Sequence, residues 1–170
     1  MQIKYITPQS NWQDRLEQNG FGYHTDENNV PYWIEEYYYS ISEPLADEIY
    51  AATADLWEMC LKAVDHVITH KLYDQFQIPL FFHEHIERSW ENDELSIYGR
   101  FDFVYDTVEK QLKVLEFNAD TPTSLYETGV VQWQWMNTYF GNSRDQFNSV
   151  HDRLIETWKE AKAHMKGSTL

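Results

Sequence analysis

The sequence predicts an α/β chain, a small mixed or antiparallel sheet with helices packed on it. Three observations carry that prediction. Apolar residues alternate with a period of two between Leu95 and Asn118, interrupted by one polar turn. Three other stretches repeat apolar residues at three- and four-residue steps. Thr121-Pro122-Thr123 closes the alternating region, and Pro79 ends any helix that reaches it.

Residues 1–30 are polar and punctuated by Pro8, Asn19-Gly20, Gly22 and Asn28-Asn29, and read as mostly irregular. The aromatic stretch VPYWIEEYYYSIS, 30–42, fits either a short strand or packed turns. Leu45, Ile49, Ala52, Leu56, Met59, Ala63 and Val67 then mark an amphipathic helix over 43–73, with Pro44 in its first turn and Ser40 with Glu43 as a capping box. In the next region Leu95, Ile97, Phe101 and Phe103 share one strand face, and Tyr98, Arg100, Asp102 and Val104 the other. After the turn DTVEKQ, Leu112, Val114, Glu116 and Asn118 alternate with Lys113, Leu115 and Phe117, so strands 97–105 and 112–118 form a hairpin. Ser124 with Glu127 offers a second capping box, for a helix through VVQWQWM whose tryptophans read as core. A last helix follows Asn142-Ser143, with Phe147, Val150, Leu154, Trp158 and Ala161 on one face. Lys159, Lys162 and Lys166 near its end suit the helix dipole. The long helix, the one after Ser124 and the last one are expected to supply much of the core.

Composition narrows the functions. The 170 residues fit one domain or one large piece of a larger one, and 16% aromatic content rules out wholesale disorder. The aromatic excess also suggests surface that meets more protein. A formal net charge of −15 argues against nucleic acid and anionic membrane as partners, whereas a nucleotide stays accessible through a divalent ion. Cys60, the single cysteine, sits in the long helical pattern beside Met59 and Leu61 and reads as a small buried hydrophobe. With no signal-like or membrane-length apolar run, the cytoplasm is the expected location.

The chemistry concentrates between Arg100 and Ser124. If the hairpin strands pair symmetrically about their turn, Asp102 lies opposite Glu116 and Arg100 opposite Asn118. Paired residues share a side of the sheet, with Cβ atoms roughly 5 Å apart. Two carboxylates so close repel unless a cation or proton lies between them, and Asp, Glu and Asn offer the oxygen donors that magnesium prefers. Arg100 suits the phosphate oxygens such an ion would hold. Spacing alone favours the plainer reading, a cross-strand salt-bridge set on a solvated face. In that alternation Lys113 faces away from Glu116. His83, His85 and Glu87 could share a strand face as transition-metal ligands, but exposed histidines near a loop are the commoner case; His66 and His70 read as a solvated helix face.

GRFDFVYD followed by LKVLEFNADTPTSLYETGVVQWQW resembles the glutathionylspermidine synthase family, including its members without an amidase domain. EEYYYSISEPLADEIYAATADLWEMCLKAVDHVI and FNSVHDRLIETWK extend the resemblance over nearly the whole chain. It implies an ATP-grasp ligase that activates a carboxylate as an acyl phosphate and joins it to an amine, and it identifies this chain with the pre-ATP-grasp region and metal-binding hairpin. By position, Arg100 matches the arginine at the transferring phosphate and nucleotide. Asp102, Glu116 and Asn118 match protein ligands of a pair of magnesium ions. Thr121 and Thr123 fall where the family places small hydroxyl residues that touch a peptide-like acid, and Asp120 takes a structural role at the turn. ATP, the acid and a polyamine-like amine are the implied partners. Members of the family continue past this point with the lysines and adenine pocket that hold the nucleotide. The expectation is therefore one region, 1–170, without the nucleotide-binding second half. It would be inactive alone, and completed by that half or by a second chain. The alternative is an inactive remnant that binds metal or a partner.

Overall fold

The computed structural model describes residues 1–120, 122–141 and 146–164, with side chains described as far as 162. Its elements form a mixed α/β arrangement with two separate two-stranded antiparallel sheets. In the first sheet, β1 (Gln2–Tyr5) pairs with β2 (Tyr37–Ser40) in a register running from Gln2↔Ser40 to Tyr5↔Tyr37. The aromatic stretch thus holds a short strand. Residues 1–30 are less irregular than their composition suggests, because β1 and the helix α1 (Trp12–Gln18) lie within them. Neither leaves a readable period: β1 is exposed throughout, and α1 buries only Leu16.

That leucine is part of the core. Leu16, Phe21 and Val131 are buried together, with Trp12 and Trp33 packed against them. Glu35, 2% exposed, lies next to them among polar partners. Arg15 donates to its Oε1, Tyr139 Oη donates to the same oxygen at 2.9 Å, and Trp33 Nε1 donates to Oε2 at 2.7 Å. Tyr139 in turn accepts the Gln9 amide at 3.0 Å. One carboxylate therefore ties the N-terminal segment to a helix more than a hundred residues later.

Helix α2 runs Glu43–Thr69 from Ser42, with Pro44 in its first turn as expected; no side-chain cap hydrogen bond forms, so the Ser40–Glu43 capping box is absent. It stops short of residue 73 because Lys71 turns left-handed (φ 53°) into a 3-10 turn, Leu72–Phe76. Leu45 is its one buried residue among those described, so α2 supplies less core than its periodicity promised. Its apolar stripe is only partly covered. Trp57 meets Phe117 edge-on at 6.0 Å, and Ala63, Val64, Val67 and Ile68 face Phe76 and Ile86 across an open apolar groove. Cys60 is half-buried.

The turn ends at Gln77, which is left-handed (φ 54°), and Pro79 takes the N-cap position of the next helix, α3 (Leu80–Glu91). This corrects the strand considered for His83 and His85: two residues apart on a helix, they do not face each other. His83 stacks on Tyr73 at 4.1 Å and bonds the Ile78 carbonyl, whereas His85 lies near Arg88. Among the described residues no three His, Cys, Asp or Glu converge as a metal-holding group. His66 on α2 and His70 at its C-cap are both exposed, as read.

After the second sheet, Ser124 adopts a left-handed conformation (φ 69°), and no side-chain cap bond to Glu127 forms. The chain continues through a π-helical turn, Glu127–Val131, into α4 (Gln132–Phe140). Trp135 is buried there against Tyr38 and Phe140, but Trp133 is half exposed, so only one of the pair is core. The final helix, α5, spans Val150–His164, starting later than Asn142-Ser143; those two residues and Lys166 lie outside the described residues. Ala161 is buried on its expected face, while Phe147 and Trp158 are largely exposed. No described helix is long and apolar enough to cross a membrane.

Candidate active site

The second sheet consists of β3 (Arg100–Asp106) and β4 (Gln111–Asn118). Its strands begin later than the alternation suggested, leaving Leu95 and Ile97 exposed outside the ladder. The connecting turn is closed by Asp106, whose Oδ1 accepts the amides of Val108 (2.9 Å) and Glu109 (3.0 Å). Those amides, Glu109 first, hold the Asp106 carboxyl below the usual carboxylate range.

At the open end the register is the symmetric one: Arg100↔Asn118, Phe101↔Phe117 and Asp102↔Glu116. All four polar residues therefore share a side, and their side chains are joined. Arg100 grips Asp102 with two bonds, Nε to Oδ1 at 2.7 Å and Nη2 to Oδ2 at 3.1 Å. Its Nη1 reaches across to Thr123, donating to the carbonyl at 2.8 Å and to Oγ1 at 3.0 Å. Asn118 donates to Glu116 Oε1 at 2.9 Å. Hydrogen bonds from Arg100 hold the Asp102 carboxyl below the ordinary range, and those same bonds raise the already high pKa of the guanidinium. Thr123 is thus joined to the cluster. Thr121 lies outside the described residues. Asp120 is exposed and makes no hydrogen bond to another described residue, so nothing among them supports a structural role for it.

The opposite face holds the hairpin in place. Phe101 and Phe117 stack at 4.1 Å, with Trp57 of α2 at the edge of Phe117. Gly99 precedes Arg100 where a Cβ would come within 2.8 Å of the Phe117 ring. Gly99→Ala is accordingly expected to cost about 1–3 kcal/mol through overpacking, measured by urea unfolding. An unchanged midpoint would mean that the ring yields freely.

Beyond Asp102 the register shifts. Phe103 pairs with Val114 and Val104 with Lys113, leaving Leu115 as an unpaired bulge residue. This overturns the alternation read for β4. Leu112 and Val114 lie on the side of Phe101 and Phe117, whereas Lys113 lies on the side of Asp102 and Glu116. The apolar pair Val114-Leu115 was the only hint of it.

Two residues of other roles border the cluster. Burial raises the Tyr98 hydroxyl, with Asp102 and Glu127 adding to the effect. Glu127 accepts from Tyr32 Oη at 2.7 Å. Glu127 reads from the sequence as a cap; its closeness to Tyr98 and Tyr32 has no signal in the local spacing.

The donor set suits a hard divalent ion. Two carboxylates and an amide are all oxygen donors, and magnesium typically takes one or two carboxylates and completes its shell with water and phosphate. Both Asp102 oxygens are engaged by Arg100, so an ion held there would compete with the guanidinium for them.

Comparison with known proteins identifies relatives of this chain. The family model for the glutathionylspermidine synthase pre-ATP-grasp region matches residues 3–170. A putative acid–amine ligase of Haemophilus influenzae is 39% identical over 146 residues, covering 84% of this chain and 37% of that protein. The bifunctional glutathionylspermidine synthetase/amidase of Escherichia coli is 33% identical over 139 residues, 80% of this chain and 22% of that protein. Trypanothione synthetase of Crithidia fasciculata is 38% identical over 60 residues, 35% of this chain and 9% of that protein. The matched stretches thus cover between 9% and 37% of the length of these relatives. It belongs to the glutathionylspermidine synthase pre-ATP-grasp family.

Proposed function

We propose that this chain carries the metal- and phosphate-binding face of an ATP- and magnesium-dependent carboxylate–amine ligase. The reading rests on one observation above all: Arg100, Asp102, Glu116, Asn118 and Thr123 meet on one side of a hairpin in a chain of this family. Asp102, Glu116 and Asn118 would hold magnesium, in one or two ions. Magnesium, when bound, supplies neutralising charge at the phosphate oxygens.

The chain's own groups do the positioning. Arg100 passes from Asp102 to the transferring phosphate, where its planar donors match the phosphate oxygens. Thr123 would contact the acid, and we assign Thr121, two residues earlier in the sequence, to the same substrate; the acid's carboxylate is phosphorylated and then joined to the amine with loss of phosphate. Phosphoryl transfer of this kind asks for alignment and charge stabilisation more than for a covalent catalyst. The names of the relatives suggest a peptide-like acid and a polyamine-like amine as substrate classes. Because the relatives are much longer, we assign the adenine pocket and further phosphate contacts to residues outside these 170, on the same or a second chain.

Titration calorimetry with Mg-ATP tests the reading. The 170-residue chain is expected to bind, and Glu116→Ala to lose that heat while keeping its fold. Silence from the folded parent chain would sink the nucleotide reading and favour a remnant that works through a partner.

A further inference from the structure

We propose that Lys113 is an additional phosphate-binding residue of this site, placed there by the bulge at Leu115. The inference rests on the ligase reading above and extends it to a residue that strict alternation puts on the wrong face.

The geometry is that of the register. Asp102 pairs with Glu116, and two residues along β3 Val104 pairs with Lys113. Paired residues share a side, so Lys113 rises on the side that carries both carboxylates. It is a diagonal neighbour of Asp102, a relation that sets side-chain origins roughly 7–8 Å apart. The four-carbon stem of lysine spans such a gap and lets its ammonium swing over the cluster or away from it.

The electrostatics point the same way. Arg100 is already committed to Asp102, and Asn118 to Glu116. Lys113 is exposed and makes no ion pair among the described residues, unlike Lys71, which is paired with Glu87. In a chain with 28 acidic and 13 basic side chains, this is a cation without an ion pair among the described residues, on the sheet face that carries two carboxylates. A divalent ion held by Asp102 and Glu116 would cancel their charge and remove their pull on a neighbouring ammonium. A polyphosphate bound there would offer the ammonium anionic oxygens instead. Lys113 is thus suited to the phosphate chain rather than to the metal: a point charge at the rim, next to the fixed fork of Arg100.

The test separates metal from phosphate. Calorimetry is run on the 170-residue chain and on Lys113→Met and Lys113→Arg, with Mg-ATP, with magnesium tripolyphosphate, and with Mn2+ alone. Lys113→Met is expected to weaken both phosphate ligands about tenfold, as loss of one charge-assisted hydrogen bond does, and to leave Mn2+ binding unchanged or slightly tighter. Lys113→Arg should return to within about threefold of the parent, since it keeps the charge. Parent-like binding of both phosphate ligands by Lys113→Met, with Glu116→Ala still losing Mg-ATP, overturns this proposal and leaves the ligase reading standing. Equal weakening of Mn2+ and phosphate ligands also overturns it, because it assigns Lys113 to the hairpin's structure. If the parent chain binds neither phosphate ligand, the ligase reading fails and this inference falls with it.

Discussion

Glu35→Ala is expected to lower stability by about 3–5 kcal/mol, the range for removing one member of a buried ion pair. In a chain of this size that is a fall of roughly 6–20 °C in the thermal midpoint. The size follows from the number of groups left stranded. The Arg15 guanidinium, the Trp33 indole N–H and the Tyr139 hydroxyl all donate to this one carboxylate, in a place where water does not replace it. Glu35→Gln should cost less, since it keeps the shape and one acceptor oxygen. Thermal melts followed by circular dichroism measure both, and a shift under about 2 °C for the alanine variant would show that the three donors find other acceptors.

For Arg100→Met two ligands should move in opposite directions. The guanidinium occupies both Asp102 oxygens, so it competes with a metal ion but helps to hold a phosphate. Mn2+ alone should therefore bind more tightly to the variant at neutral pH. Mg-ATP should bind more weakly, by about tenfold or more. Acidity adds a second readout. Arg100 depresses the Asp102 carboxyl, so in the parent the pair contributes stability above the ordinary aspartate pKa of about 3.9 and loses it as pH falls through the lower folded value. Without Arg100 that depression goes, Glu116 remains alongside, and the acid limb of Mn2+ binding should move to higher pH. Parallel loss of both ligands would instead mean that Arg100 only braces the hairpin through Thr123.

Much of this site was readable because a hairpin is a local object. Period-two alternation on either side of DTVEKQ defined its strands, and symmetry about the turn gave the pairs Arg100–Asn118 and Asp102–Glu116. Lys113 was misplaced because one extra residue resets the alternation, and a bulge between two apolar residues leaves almost no mark in a sequence. Helix α3 was hidden by the alternating look of His83 and His85; in a helix with no buried residue, burial leaves no 3.6-residue signature. Glu35 carried a faint sign, a carboxylate between Trp33 and Tyr37, but its partners Arg15 and Tyr139 come from distant segments that local spacing does not relate. The contribution of α2 was overread for a related reason. Its periodicity records which face is apolar, not how much of that face is covered, and Met59 remains 63% exposed.

The bulge at Leu115 divides the hairpin into two parts with different tolerance to changes in length. Residues added or lost in the turn past Asp106 leave the cross-strand partners at the open end where they are. One residue gained or lost between Lys113 and Glu116 does not: it rotates every later side chain by half a turn about the strand. A gene drifting in size would tolerate codon-scale slippage at the tip and be culled for it a few codons further on.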